Sequence, residues 1–353
     1  MNASGTISDL GFSQDEVASR AVPPPVVSAG DPYQAYRKSL LSPQRVRELS
    51  RLRPLRAVID TFACWGWMIA AWTLVAVHPN WWTVLLAIPI VGTRFYALLI
   101  VGHDGIHRRL FRRPRVNDWF ADLFVFGPVA AITRINNQNH LGHHRYLSTP
   151  DDPDLHQFTC ANKYQLPLLV GHLSGVTSLY HSFSNVFLRR GKPSATEETA
   201  RPPQHYTPRD LALIGGWQIS LLVGLSWGIG WWAYPVLWLL PIYVFAFMAD
   251  NFRAFAEHSQ PQSDSLADDH RLITFLSNPV ERVFVAPLNM NYHAAHHLWP
   301  SIPYYRLAQA DREIRNRPAA AGLEWRKSYV GYLLRYVRAL PLNDCLPPEQ
   351  PAH

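Results

Sequence analysis

Thr61-Phe-Ala-Cys-Trp-Gly-Trp-Met-Ile-Ala-Ala-Trp-Thr-Leu-Val-Ala-Val-His-Pro-Asn-Trp-Trp-Thr-Val-Leu-Leu-Ala-Ile-Pro-Ile-Val-Gly-Thr93 runs for 33 residues without one Asp, Glu, Lys or Arg, and Leu211 to Ala249 does the same for 39. A surface that is about one quarter charged does not leave such intervals. A helix crossing the hydrocarbon core needs roughly 20 mostly apolar residues, so each interval is long enough for two crossings and too long for one. A soluble globular protein is thereby excluded, although the chain as a whole is only 48% hydrophobic with a mean hydropathy near zero. The three cysteines, Cys64, Cys160 and Cys345, are distant and odd in number, which excludes a disulfide scaffold.

Each interval divides at a turn signal. His78-Pro79-Asn80 splits the first into spans of about 57–77 and 82–101, and Gly228-Ile229-Gly230 splits the second into about 210–228 and 231–249. Trp81, Trp82, Trp231, Trp232 and Tyr234 sit at those turns, where amphipathic rings favour the headgroup level. Residues 31–56 carry seven basic residues and 103–210 carry thirteen, whereas the two turns carry none. The positive-inside rule then places both termini and the long middle segment in the cytoplasm of a multi-pass integral membrane protein. The formal charge of +7 is thus an orientation signal facing anionic membrane lipids rather than a mark of nucleic-acid binding. The uncharged stretches 164–188 and 119–133 read as helices in or dipping into the cytoplasmic leaflet. The expected architecture is all-α: four membrane helices in two hairpins, interfacial helices, and a cytoplasmic helical cap. A solvated, disordered tail is expected at 1–42, a single membrane domain at 43–340 and a second tail at 341–353.

Eight of the sixteen histidines fall in three tight groups: His103-Asp-Gly-Ile-His107, His140-Leu-Gly-His143-His144 and His293-Ala-Ala-His296-His297. Spacings of three and four put side chains on one helix face, so each group can aim its imidazoles at one spot. His78, His172, His205 and His353, isolated, read as ordinary core or interface residues. The groups have no evident packing purpose, and neutral imidazole ligates zinc, iron, copper and nickel. Four crossings bring all three groups to one side of the membrane. One zinc-like ion takes three or four protein ligands, so eight imidazoles suit two ions. His258, about nine residues past the last span, is a ninth candidate ligand, and Asn251 a candidate to hold a metal-bound water. Asp104, Asp151, Asp152 and Asp154 are candidates to orient the imidazoles, since a metal-bound histidine usually donates its other N–H to a carboxylate. Arg94, inside the second span, is expected to snorkel to the interface.

These three stretches, together with Asn139, the Asp-Asp-Pro-Asp run ending at Asp154, and Asn291 to Leu307, resemble the three histidine boxes of the membrane fatty acid desaturase superfamily, over about residues 57–310. The resemblance implies a non-haem di-iron oxidoreductase at the cytoplasmic face. His103, His107, His140, His143, His144, His293, His296 and His297 would be the catalytic ligands of two iron ions, and His258 the extra ligand that relatives carry after the last span. It also implies O2 as co-substrate and a lipid acyl chain as substrate, into which a double bond is introduced. His293 stands where front-end desaturases have Gln, and the three residues between His103 and His107 depart from the stearoyl-type pattern. A ferredoxin cluster needs four cysteines, so a separate electron donor is implied, a ferredoxin or similar carrier with its reductase. Similar boxes serve hydroxylases and ketolases of lipids or carotenoids, which is the rival reading within the enzyme class. A histidine-rich metal transporter is the rival from another class; it calls for ionisable groups along a path through the spans.

Overall fold

A computed structural model describes residues 34–147, 152–154, 165–177, 205–258 and 272–339. Residues 1–33 of the tail expected at 1–42, the tail expected at 341–353, residues 164 and 178–188 of the stretch 164–188, and Asp151 lie outside the described residues. Helix α1 (Gln34–Leu40) begins inside the stretch read as a solvated tail. Its end is held because Leu40 and Leu41 are buried and Arg37 donates to the Leu298 carbonyl at 3.2 Å. Helix α2 (Pro43–Leu49) follows, N-capped by the Ser42 side chain.

Four helices are long and apolar enough to cross a membrane: α3 (Pro54–Val77), α4 (Trp81–Ile106), α8 (Pro208–Gly228) and α9 (Pro235–His258). The first two pack against each other across the His78–Asn80 turn, where Asn80 and Thr83 form a capping box. Large apolar side chains such as Leu55, Leu222 and Trp227 stand exposed on these helices, as on a surface that faces an apolar medium. Two helices run past the spans of about 82–101 and 231–249: α4 carries on through His103, and α9 through His258, the extension on which His258 is expected. Asp250, Arg253 and Glu257 pair with one another inside α9. All three lie at the histidine end of the helix and trace no path along it.

Helix α9 contains Pro235 and Pro241 and passes through two π-helical stretches, Pro235–Leu239 and Tyr243–Met248. Proline at 241 removes the donor that would serve the Leu237 carbonyl. The Trp72 indole N–H, from α3, donates to that carbonyl at 3.1 Å and repairs the loss. The same part of α9 approaches α4 closely at Gly92. A Cβ there would meet the Pro241 carbonyl oxygen at 2.6 Å and the Phe245 Cβ at 2.5 Å.

Between α4 and α8 come α5 (Pro114–Ala121), a π-helical turn Asp122–Phe126, a short 3-10 turn Gly127–Val129, α6 (Thr133–Tyr146) and α7 (Leu166–Leu173). The eight residues of α7 span about 12 Å, too short for a crossing, and pack on α9. After α9 the chain is not all helical. Strands β1 (Ile273–Phe275) and β2 (Glu324–Arg326) pair in parallel, Ile273 opposite Glu324, which corrects the all-α expectation. Three residues are too few to show a period in sequence. Burial holds them: Phe275 stacks on Tyr329 at 3.9 Å, and its carbonyl accepts from Asn291 Nδ2 at 2.7 Å. Around this pair lie α10 (Pro279–Phe284), α11 (His293–Leu298), α12 (Tyr304–Ile314) and α13 (Tyr329–Ala339).

Replacing Gly92 by Ala forces a methyl group against backbone and should cost about 1–3 kcal/mol, read as a lowered thermal midpoint in detergent. Gly66→Ala, where a Cβ meets nothing within 4 Å, should leave the midpoint unchanged or raise it. Equal effects at both positions would remove the close approach of α4 and α9.

Candidate metal centre

Two asparagines fix the first histidine group. The last carbonyls of a helix lack intrahelical donors, and at the end of α4 Asn117 Nδ2 donates to the Gly105 carbonyl at 2.7 Å and Asn137 Nδ2 to Ile106 at 2.6 Å. His103 and His107 therefore project from a capped, immobile terminus. The second group lies on α6, whose first N–H, Thr133, donates to Asp122 Oδ1 at 2.6 Å. Arg134 pairs with Asp210 at 2.7 Å and ties α6 to the start of α8. The third group forms α11, and the Tyr304 N–H just beyond it donates to Asp104 Oδ2 at 2.9 Å. Asp104 was expected to orient an imidazole; instead it joins the first group's helix to the third group's neighbourhood.

All nine histidines come together, in two adjoining sets. Nitrogens of His103, His107, His140, His144 and His296 lie within 4.8 Å of one another, as do those of His143, His258 and His297. His293 completes the second set, its Nε2 lying 2.7 Å from that of His258 and 2.9 Å from that of His297. The His144 and His297 rings, 4.3 Å apart, mark where the sets meet. The expectation that each box aims at one spot needs correcting. The pairs four residues apart (103 and 107, 140 and 144, 293 and 297) stay together, while His143 and His296 turn into the opposite set. At about 100° per residue, positions three and four along a helix differ by that angle, so a box can feed both sets.

The donor chemistry fits cations. Along His107, His140, His144 and His296, successive Nε2 atoms are 2.9, 3.0 and 2.9 Å apart. A ring nitrogen of neutral imidazole offers one proton or one lone pair, never both. Four in a row can make hydrogen bonds of only two of these three contacts, so at least one close contact is left without a hydrogen bond. A cation at the focus of these nitrogens accepts a lone pair from each. Nitrogens about 2.0–2.1 Å from one ion and at right angles lie roughly 3 Å apart, as here. Burial pushes His140, His144, His293, His296 and His297 well below the usual imidazole range, their neighbouring imidazoles adding to it. Burial, with Arg109 nearby, pushes His107 down to about 3. All are neutral, the form that ligates.

Behind the second set stand two carboxylates. His143 Nδ1 lies 3.0 Å from Asp152 Oδ1, and His293 Nδ1 lies 3.2 Å from Glu257 Oε2. Glu257, fully buried, also binds Arg253 at 2.7 Å and the Tyr329 hydroxyl. Sequence reasoning missed Glu257, Arg253, Asn117 and Asn137. An acid directly before His258, in the extension of an apolar helix, was the available signal for Glu257. Asp154 donates its backbone N–H to Asp152. Arg94 is partly exposed midway along α4.

A cavity of about 320 Å³ reaches both sets. His103 and His140 line it from one, His143, His258 and His293 from the other. Leu99, Ile100, Ile106 and Phe126 give it an apolar lining, alongside Tyr96, Asp250 and Arg253. Asn251 does not line it.

The sequence pattern of fatty acid desaturases matches residues 79–329. The chain belongs to the fatty acid desaturase family. It is 26% identical over 279 residues to the dihydrorhizobitoxine desaturase of Bradyrhizobium elkanii, covering 75% of this chain and 78% of that one. It is 24% identical to a β-carotene ketolase of a Paracoccus species, covering 69% and 88%. To an sn-1 oleoyl-lipid 12-desaturase of a Picosynechococcus species it is also 24% identical, covering 77% and 80%. Family members are thus desaturases and ketolases, at low identity to this chain.

The neutral imidazoles carry a pH consequence. In the unfolded chain a histidine binds its proton below about pH 6.5, whereas His107 in the fold does so only near 3. Between those values the unfolded state holds more protons, so the stability of the metal-free protein is full above about pH 6.5 and declines as pH falls. Thermal midpoints of chelator-treated protein should drop steadily from about pH 7 to about pH 5, and bound metal should be released over the same range. A midpoint that rises on acidification would contradict buried neutral rings.

Proposed function

We propose that the chain is a membrane-bound, O2-dependent oxidoreductase that introduces a double bond into a lipid acyl chain, using two irons held by the nine histidines. The observation that carries this reading is the convergence of two imidazole sets, five and four strong, on one cavity at the end of four apolar helices. His103, His107, His140, His144 and His296 would hold one ion; His143, His258, His293 and His297 would hold the other. Bound there, the irons supply the oxygen chemistry that removes hydrogen from an unactivated C–H bond.

The chain's own residues do the rest. Capped helix ends and buried carboxylates fix ring orientations, so the ligand set needs no rearrangement. Leu99, Ile100, Ile106 and Phe126 give a saturated chain an apolar wall and exclude water, and the depth to which the chain enters selects the carbon. Desaturation converts two adjacent methylenes and O2, with two electrons and two protons, into an alkene and two waters. The electrons come from a separate carrier, a ferredoxin or similar protein with its reductase. The basic residues of the middle segment, Arg108, Arg112, Arg113 and Arg115 among them, are exposed to meet an acidic carrier and anionic lipid. In this reading the four long helices form two membrane hairpins, with both termini and the metal centre on the cytoplasmic side.

The β-carotene ketolase among the relatives favours a second reading, hydroxylation or ketolation of a lipid or carotenoid at the same site. Expression in a host of defined lipid and pigment content, followed by mass spectrometry, separates the two: desaturation removes two hydrogens and adds no oxygen, while hydroxylation and ketolation add oxygen. His143→Ala and His296→Ala, one from each set, should each abolish the product and lower iron per chain. Full turnover with two irons retained in either variant would end the assignment.

A further inference from the structure

The two histidine sets are backed unequally. Asp152 stands behind His143 and Glu257 behind His293, both in the four-histidine set. Among the described residues no carboxylate pairs with His103, His107, His140, His144 or His296. The Nδ1 atoms of His103, His144, His293 and His296 are buried without a hydrogen-bond partner, although Glu257 Oε2 comes to 3.2 Å from that of His293; the Nδ1 of His143 does meet Asp152 in hydrogen-bond geometry at 3.0 Å. The nearest charge bearing on His107 is a cation, Arg109.

We infer that Asp152 and Glu257 are positioning residues that make the two metals electronically unequal, the ion of the four-histidine set being the more electron-rich and the harder to reduce. A carboxylate accepting from the far N–H of a ligating imidazole fixes the ring and raises its basicity. His143 receives this from Asp152, and Glu257 brings a second carboxylate to 3.2 Å from His293 Nδ1; none of the five rings in the other set has either. Glu257 is not a fully free charge, because Arg253 binds it at 2.7 Å. Arg253 also pairs with Asp250 at 2.8 Å. A buried carboxylate, guanidinium and phenol linked in this way are costly inside an apolar helix, and support for His293 accounts for their presence.

The inference rests on the metal-centre reading above and is independent of which lipid reacts. The test loads the full chain in detergent, anaerobically, with isotopically enriched iron(II) and records Mössbauer spectra, together with iron titrations. The wild type should give two quadrupole doublets. Glu257→Gln and Asp152→Asn should each displace one and the same doublet, weaken that ion's binding by about 10- to 100-fold, and raise only the lower of two reduction potentials. Asp104→Asn, which removes a buried carboxylate that contacts no imidazole, should displace neither doublet. A single doublet in the wild type, or variants that move both doublets equally, move different ones or move none, would overturn the inference while leaving the metal centre standing. A wild-type chain that binds no iron would overturn both. Asp152 lies outside any helix, so Asp152→Asn decides the matter if Glu257→Gln does not fold.

Discussion

The constraint on which the rest depends is the forced approach of imidazole nitrogens. Nine imidazoles cannot satisfy one another, because each nitrogen has one proton or one lone pair to offer, and some contacts at about 3 Å are left without a hydrogen bond. Without a cation this cluster opposes folding, and burial adds the cost of keeping the rings dry. The framework must hold it closed. That explains why the ends of the elements bearing the histidines are tied by polar contacts of long sequence range. Asn117 and Asn137 cap α4, Tyr304 reaches back to Asp104, and Asn291 locks to Phe275. Each satisfies a backbone group that would otherwise need water near the site.

The relation between the two sets is fixed further down, among the apolar helices. Helix α4 carries His103 and His107 of one set, and α9 carries His258 of the other. Their register sets how far apart the sets stand. One residue of slippage moves a helix by about 1.5 Å, a large fraction of the 4.3 Å that separates His144 from His297. The close contact of Gly92 with Pro241 and Phe245 resists such slippage, since no other registration offers the missing Cβ. Pro241 bends the helical geometry of α9, and Trp72 covers the cost. The lipid-crossing part of the molecule is in this sense the jig for the metal site.

Much of this was legible in the sequence because its causes are compositional or periodic. Charge-free intervals give the long helices, and histidine spacing gives the boxes. What was not legible depends on rotation or on pairing across the chain. The allocation of His143 and His296 to opposite sets follows from the angle at which α6 and α11 meet, which no spacing encodes. The spans of about 82–101 and 231–249 end short of the charged turns that carry α4 to His103 and α9 to His258, although His258 is expected on the extension of the last span. Glu257 was hidden because, read singly, it is an interfacial acid, and only Tyr329, 72 residues on, and His293 reveal its setting. Strand β1 is stable only against β2 and Asn291, partners far along the chain.

The cavity shows how a polar wall can coexist with an apolar substrate. Tyr96, Asp250 and Arg253 line it, yet the Tyr96 hydroxyl accepts from Arg253 at 2.9 Å and lies 3.2 Å from Asp250, and Arg253 also donates to Asp250 and Glu257. Polar groups already satisfied by one another present little that a ligand must match. Recognition then falls to Leu99, Ile100, Ile106 and Phe126, whose contacts are graded by area and not by direction. Such a wall distinguishes chains by length and shape more than by functional group, with a methylene worth about 0.8 kcal/mol. One family can therefore hold both desaturases and ketolases, as the relatives' names indicate.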